Sequence, residues 1–97
     1  MSDSSSRETR NWLWLHREDN VAMALADFSP GDTVEINDSK IVLKTPVEYG
    51  HKFAVTAIGE GESVIKFAER IGIASRDIAA GEHVHVHNVK SERARKQ

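Results

Sequence analysis

Apolar and polar positions along this chain alternate every second residue far more often than they recur every third or fourth. That is the signature of half-buried strands rather than of amphipathic helices. Trp12 to His16 and Val21 to Leu25 read as strands, with Trp12 and Trp14 as core or interface packing. Thr33 to Ile36 and Lys40 to Lys44 flank Asn37-Asp38-Ser39, which suits a tight hairpin because asparagine and aspartate tolerate left-handed backbone angles. Pro46 and Gly50 bracket a loop leading into a strand over Lys52 to Ile58, and Val64 to Phe67 and Ile71 to Ala74 supply further extended pieces. The expected fold class is therefore mainly β, built of short strands and hairpins.

A degenerate repeat ties these pieces together. Phe28-Ser29-Pro30-Gly31-Asp32-Thr33-Val34, Ile58-Gly59-Glu60-Gly61-Glu62-Ser63-Val64 and Ile78-Ala79-Ala80-Gly81-Glu82-His83-Val84 share the form apolar-x-x-Gly-acid-x-Val. Each is expected to be a turn feeding a strand, the glycine taking a positive φ and the acid accepting backbone hydrogen bonds. The unequal spacing of the three copies argues for a folded-over sheet with recurring turns, not a solenoid.

The third copy runs into the densest chemistry of the chain, Glu82-His83-Val84-His85-Val86-His87-Asn88-Val89, which holds three of the five histidines. Read as one strand, it turns the imidazoles to one face and Val84 and Val86 to the core. His85, His87 and Asn88 are the candidate catalytic group, while His83, at the strand entrance, could be simply solvated. Strand neighbours on one face stand about 6.6 Å apart, so an ion bound at about 2.1 Å could use an adjacent histidine pair but hardly all three. Any full metal site would draw ligands from elsewhere, and the metal-ligand set stays unknown.

Size and charge narrow the classes. The 97 residues make one domain, small for an enzyme with its own deep cleft, so a partner chain is plausible. Residues 1–10 are expected to be a disordered tail, 11–89 the folded domain and 90–97 a basic tail. A net charge of -2 and a pI near 6.2 argue against nucleic-acid binding. No cysteine is present, which removes disulfides and thiolate ligands. With no apolar run of signal-peptide or membrane-spanning kind, a soluble cytoplasmic protein without membrane contact is expected.

From His16 to Asn88 the chain resembles the small N-terminal module of altronate dehydratases. The matching stretches are His16, Asp19-Asn20-Val21-Ala22-Met23-Ala24-Leu25-Ala26-Asp27, Gly50-His51-Lys52-Phe53-Ala54, Val64-Ile65-Lys66, Ile71-Gly72 and Asp77 through Asn88. The resemblance implies a SAF-type β-clip domain in a sugar-acid dehydratase group that includes galactarate dehydratase and sulfolactate sulfo-lyase. It implies a much larger catalytic region that either follows the module or is supplied as a separate large subunit, here expected as the partner, with a sugar acid as substrate and a divalent metal, iron or manganese, held mainly by that large part. Where the family pattern has Tyr-Gly after Lys66, this chain has Phe67-Ala68, a departure in a loop near the expected substrate contacts.

Dehydration of a 2,3-dihydroxy acid needs a base for the proton beside the carboxylate and an acid or metal for the departing hydroxyl, work that histidine and lysine can do. His51 follows a glycine that lets backbone approach a ligand, and Lys66 interrupts an apolar strand. His51, Lys66 and His16 are the candidate substrate-binding residues, with turn capping as the alternative for His16. The expected function is the small subunit of an altronate dehydratase-type hydro-lyase, inactive by itself. The alternatives are a stand-alone, non-catalytic ligand-binding or regulatory β-clip module, or the small subunit of a related galactarate dehydratase or sulfolactate sulfo-lyase; homo-oligomerisation stays open.

Overall fold

A computed structural model describes residues 11–91; the two expected tails lie largely outside this range. Nine short strands and no helix make up the described residues: β1 (Trp12–Leu13), β2 (Val21–Ala24), β3 (Thr33–Ile36), β4 (Ser39–Val42), β5 (Lys52–Ala54), β6 (Ser63–Lys66), β7 (Glu69–Ala74), β8 (His83–Val84) and β9 (Val89–Lys90). All pairings are antiparallel, in a four-stranded sheet β1-β2-β5-β8, a hairpin β3-β4 and a three-stranded sheet β6-β7-β9. This is a SAF-type β-clip. Lys90, assigned from sequence to the tail, pairs with Ile73 in β9. Among the described residues no helix is long and apolar enough to cross a membrane.

Strands β2 and β5 run between two cores, which explains why both of their faces are apolar except at Lys52, the first residue of β5. Ala22, Ala24 and Phe53 join one core with Phe28, Val34, Ile36, Ile41, Leu43 and Val47. Val21 and Ala54, on the alternate positions, join the other with Ile58, Val64, Ala74, Ile78 and Val84. Phe28 meets Phe53 edge to face, with centroids 5.9 Å apart.

The repeated turns do what their residues suggest, and there is a fourth. Phe28 bridges Val47 and Ile58 bridges Ile78, so the turns come as two crossed pairs. In three of them the acid after the glycine closes its own turn: Ser29 N donates to Asp32 Oδ2, Gly59 N to Glu62 Oε1 and Ala79 N to Glu82 Oε1. The fourth, Val47-Glu48-Tyr49-Gly50-His51, keeps the backbone bond from His51 N to Glu48 O and the positive φ of its glycine, 87°. In the acid's place it has His51, whose side chain is free to point elsewhere.

Both long hairpins turn through two left-handed residues. Asn37 and Asp38, with φ of 54° and 68°, connect β3 to β4, as the sequence predicts. Phe67 and Ala68, with φ of 55° and 65°, connect β6 to β7, although neither residue type favours that region. Ala68 N donates to Oδ1 of buried Asp19 across 2.7 Å, which helps hold the turn. Asn20 fastens the same sheet to β2: its Nδ2 donates to Ser63 O and its Oδ1 accepts from Ile65 N.

Candidate functional site

The β5–β8 ladder pairs Lys52 with Val84, so the next position along each chain sets His51 across from His85. Their rings stack with centroids 4.5 Å apart, and His51 also stacks on His83 at 5.0 Å. His51 Nδ1 lies 2.8 Å from His83 Nε2, one ring donating and the other accepting. One ring nitrogen from each of His51, His83 and His85 lies within 4.8 Å of the other two. Four imidazoles thus form one stack, with exposed His87 tilted against His83 at 5.2 Å.

The strand expected through His87 ends at Val84. Residues 85–88 form a turn, and the cause is Asn88. Fully buried, it donates from Nδ2 to His83 O and accepts at Oδ1 from His85 N. Two backbone groups that a longer β8 would offer to a neighbouring strand are satisfied by one side chain. Asn88 is therefore buried and bonded to backbone, not on the exposed face on which it was expected. Val86, expected in the core, is 80% exposed. Thr45 adds a further brace, its Oγ1 accepting from His83 N.

Of the sequence candidates, the structure brings His51 and His85 together, keeps His87 at the margin and withdraws Asn88. Lys66 lies close enough to Lys52 to affect its titration, and its ammonium sits 4.7 Å over the Phe67 ring. His16 is exposed and its Nδ1 accepts from Glu18 N at 3.2 Å, the turn-capping alternative; it is not one of the three clustered histidines. Two residues outside the candidate set belong to the site. His83, which the strand reading could leave to solvent, is bonded to His51. Lys52 lines a shallow groove of about 250 Å³ with Ile71, His85, Val86, Val89 and Ser91. The sequence signal for both is the fourth turn, whose alignment with the Gly81 turn brings His51-Lys52 and Glu82-His83 into the same frame.

Burial and neighbouring charge lower the pKa of three groups in the site. Burial lowers the His83 pKa, helped by His51, His87 and His85 and opposed by Glu48. His85 is lowered by desolvation and then by His51, Lys52 and His87. Burial and the Lys66 charge lower Lys52 from the usual lysine value. Histidines held below the usual imidazole range are unprotonated near neutral pH, the form that accepts a proton or binds a metal.

Fold and site together define a small β-clip module that carries a histidine and lysine face beside a shallow groove. The chain belongs to the altronate/galactarate dehydratase SAF domain family, whose model matches residues 10–92. It is 46% identical over 80 residues to an altronate dehydratase of Escherichia coli K12 and 39% identical over 82 residues to one of Bacillus subtilis 168. These matches cover 82% and 84% of this chain but 16% of each relative, so the chain corresponds to a small part of those enzymes. A sulfolactate sulfo-lyase subunit alpha of Paracoccus pantotrophus is 39% identical over 61 residues, 63% of this chain and 91% of that protein. In that relative the matched module is nearly the whole subunit.

Proposed function

We propose that this chain is the small subunit of an altronate dehydratase-type lyase and lends its histidine and lysine face to a sugar-acid site completed by a large catalytic chain. The observation that carries the reading is the clustering of His51, His83 and His85, one ring nitrogen of each within 4.8 Å of the other two, with His85 lining the same groove as Lys52. Depressed imidazoles suit removal of the proton next to a carboxylate, and a lysine at the groove suits the carboxylate itself. The groove is too shallow to enclose a sugar acid, which supports the need for a second chain. The Paracoccus pantotrophus relative, named a subunit and matched over nearly its whole length, supports the small-subunit form. Altronate is the favoured substrate; galactarate and sulfolactate belong to the same reading. The divalent metal of such a reaction, iron or manganese, would serve the assembled site.

The test is reconstitution. The chain alone is expected to give no keto acid from altronate, galactarate or sulfolactate with iron or manganese present, and turnover should appear when a large catalytic chain is added. His85→Ala should then lower kcat by about a hundredfold, the scale of a positioned acid or base. Full turnover by the 97-residue chain alone, or no effect of the chain on a large chain's activity, would sink the reading.

A further inference from the structure

His51 reaches the histidine-rich loop from a different turn, and that changes what the loop can bind. Two nitrogens on one ion at about 2.1 Å stand about 3.0 Å apart when cis on an octahedron and about 3.4 Å apart on a tetrahedron. At 2.8 Å, His51 Nδ1 and His83 Nε2 already have nearly the spacing of two cis ligands. One ring nitrogen from each of the three residues lies within 4.8 Å of the other two, so reaching ligand spacing takes changes of no more than about 2 Å in any separation, within the reach of rotamer adjustments of the rings. We propose that this chain binds one divalent transition-metal ion of its own through His51, His83 and His85, with the remaining coordination positions facing the groove beside Lys52.

The scaffold behaves as a built site. Asn88 fixes the backbone on either side of Val84 by bonding His83 O and His85 N, and Thr45 holds His83 N. Such supporting bonds orient ligands and normally contribute to affinity. His51 is available because its turn lacks the self-closing carboxylate found in the other three. An all-nitrogen set selects zinc, nickel, cobalt or ferrous iron over calcium and magnesium. Three neutral imidazoles leave the ion's double charge intact, and with Lys52 beside it the open positions favour an anionic chelating ligand such as a hydroxy acid.

This site deepens the proposed function, in which the large chain is the main holder of metal, and rests on that reading only for what the ion does in turnover. Binding is tested on the 97-residue chain with cobalt(II) alone, by calorimetry and visible absorption at pH 7.5. One ion per chain with a Kd of about 10 µM or tighter is expected. His51→Ala, His83→Ala and His85→Ala should each weaken binding at least about tenfold, while His87→Ala and His16→Ala should change it by less than about threefold. Absence of saturable binding, or equal losses in the His87 and His51 variants, would overturn the site. If an alanine variant unfolds, the unsubstituted chain decides the matter: hyperfine-shifted NMR signals from three imidazoles support the site, and signals from two or fewer overturn it. Intact binding in a reconstituted complex whose turnover ignores the metal would sink the metal-dependent dehydratase reading and leave this site standing.

Discussion

His51 Nδ1 and His83 Nε2 face each other across 2.8 Å, a separation that accommodates one proton between the rings and opposes a second. His83 and His85 both have pKa values lowered from the 6.5 of a free imidazole, by burial first and then by neighbouring histidines, with Lys52 also acting on His85. The unfolded chain therefore binds more protons than the folded one just below pH 6.5, and stability rises with pH through that window. The contribution is complete above about pH 6.5 and is lost as the pH falls toward the lower folded values. Melting temperature should thus drop between pH 7.5 and 5.5, and His83→Gln should flatten the drop. A melting temperature that rises on acidification over this range would contradict the assignment.

Val84 and Val86 should respond oppositely to the same change. Val84 is fully buried in the second core and Val86 is 80% exposed. Val84→Asp should cost about 3 kcal/mol or more by burying an unpaired charge, whereas Val86→Asp should stay within about 0.5 kcal/mol of the original. Urea denaturation of the pair checks this. Equal losses would restore a continuous strand through His87.

Removing the Asn88 amide should hurt folding before chemistry. Asn88→Ala strips partners from His83 O and His85 N in a fully buried setting, a loss of about 2 to 3 kcal/mol. Hydrogen exchange at the His85 amide should accelerate at the same time. An unchanged denaturation midpoint would return Asn88 to the exposed face.

Two glycines with similar φ separate backbone strain from collision. Gly31 has φ 97° and nothing near the position of a Cβ, while at Gly81, φ 88°, a Cβ would run into the carbonyl of Val42. Gly31→Ala should cost about 1 to 2 kcal/mol. Gly81→Ala should cost distinctly more, because Lys44 N also donates to Gly81 O in this close approach. Similar melting temperatures for the two variants would contradict the packing of this turn against β4.

The Phe67-Ala68 turn offers a gain. Ala68→Gly keeps the N–H bonded to Asp19 and relieves a left-handed alanine at φ 65°. It should stabilise the chain by about 1 kcal/mol, raising the melting temperature by about 4 to 8 °C. A lower melting temperature would mean that glycine's entropy in the unfolded chain outweighs the relief.

What was legible in the sequence was local. Asn37-Asp38 announces its hairpin because the two residues carry the required backbone preference themselves, and the Gly-acid turns announce themselves because each acid bonds within its own turn. The site was only half legible. Alternating histidine and valine look the same whether the chain continues as a strand or is curled by Asn88, since period two says nothing about which backbone partner captures an amide. The role of His51 depends on the ladder between β5 and β8, a pairing of residues some thirty positions apart that no short window contains. The fourth turn does not fit the Gly-acid pattern because a histidine stands in the acid's place, the same exchange that frees the His51 side chain to reach His83 and His85.

That change has a consequence for how such a module acquires chemistry. Asp32, Glu62 and Glu82 occupy the position that His51 holds, and each spans only three residues to close its turn. Backbone bonds from Asp32, His51, Glu62 and Glu82 to the residue three before persist in all four turns, so the turn survives the exchange of its side chain. The clip thus presents four equivalent positions on a backbone turn that accommodates either a carboxylate or an imidazole. One holds a histidine that reaches out to other imidazoles, and the other three hold carboxylates that turn back on their own backbone.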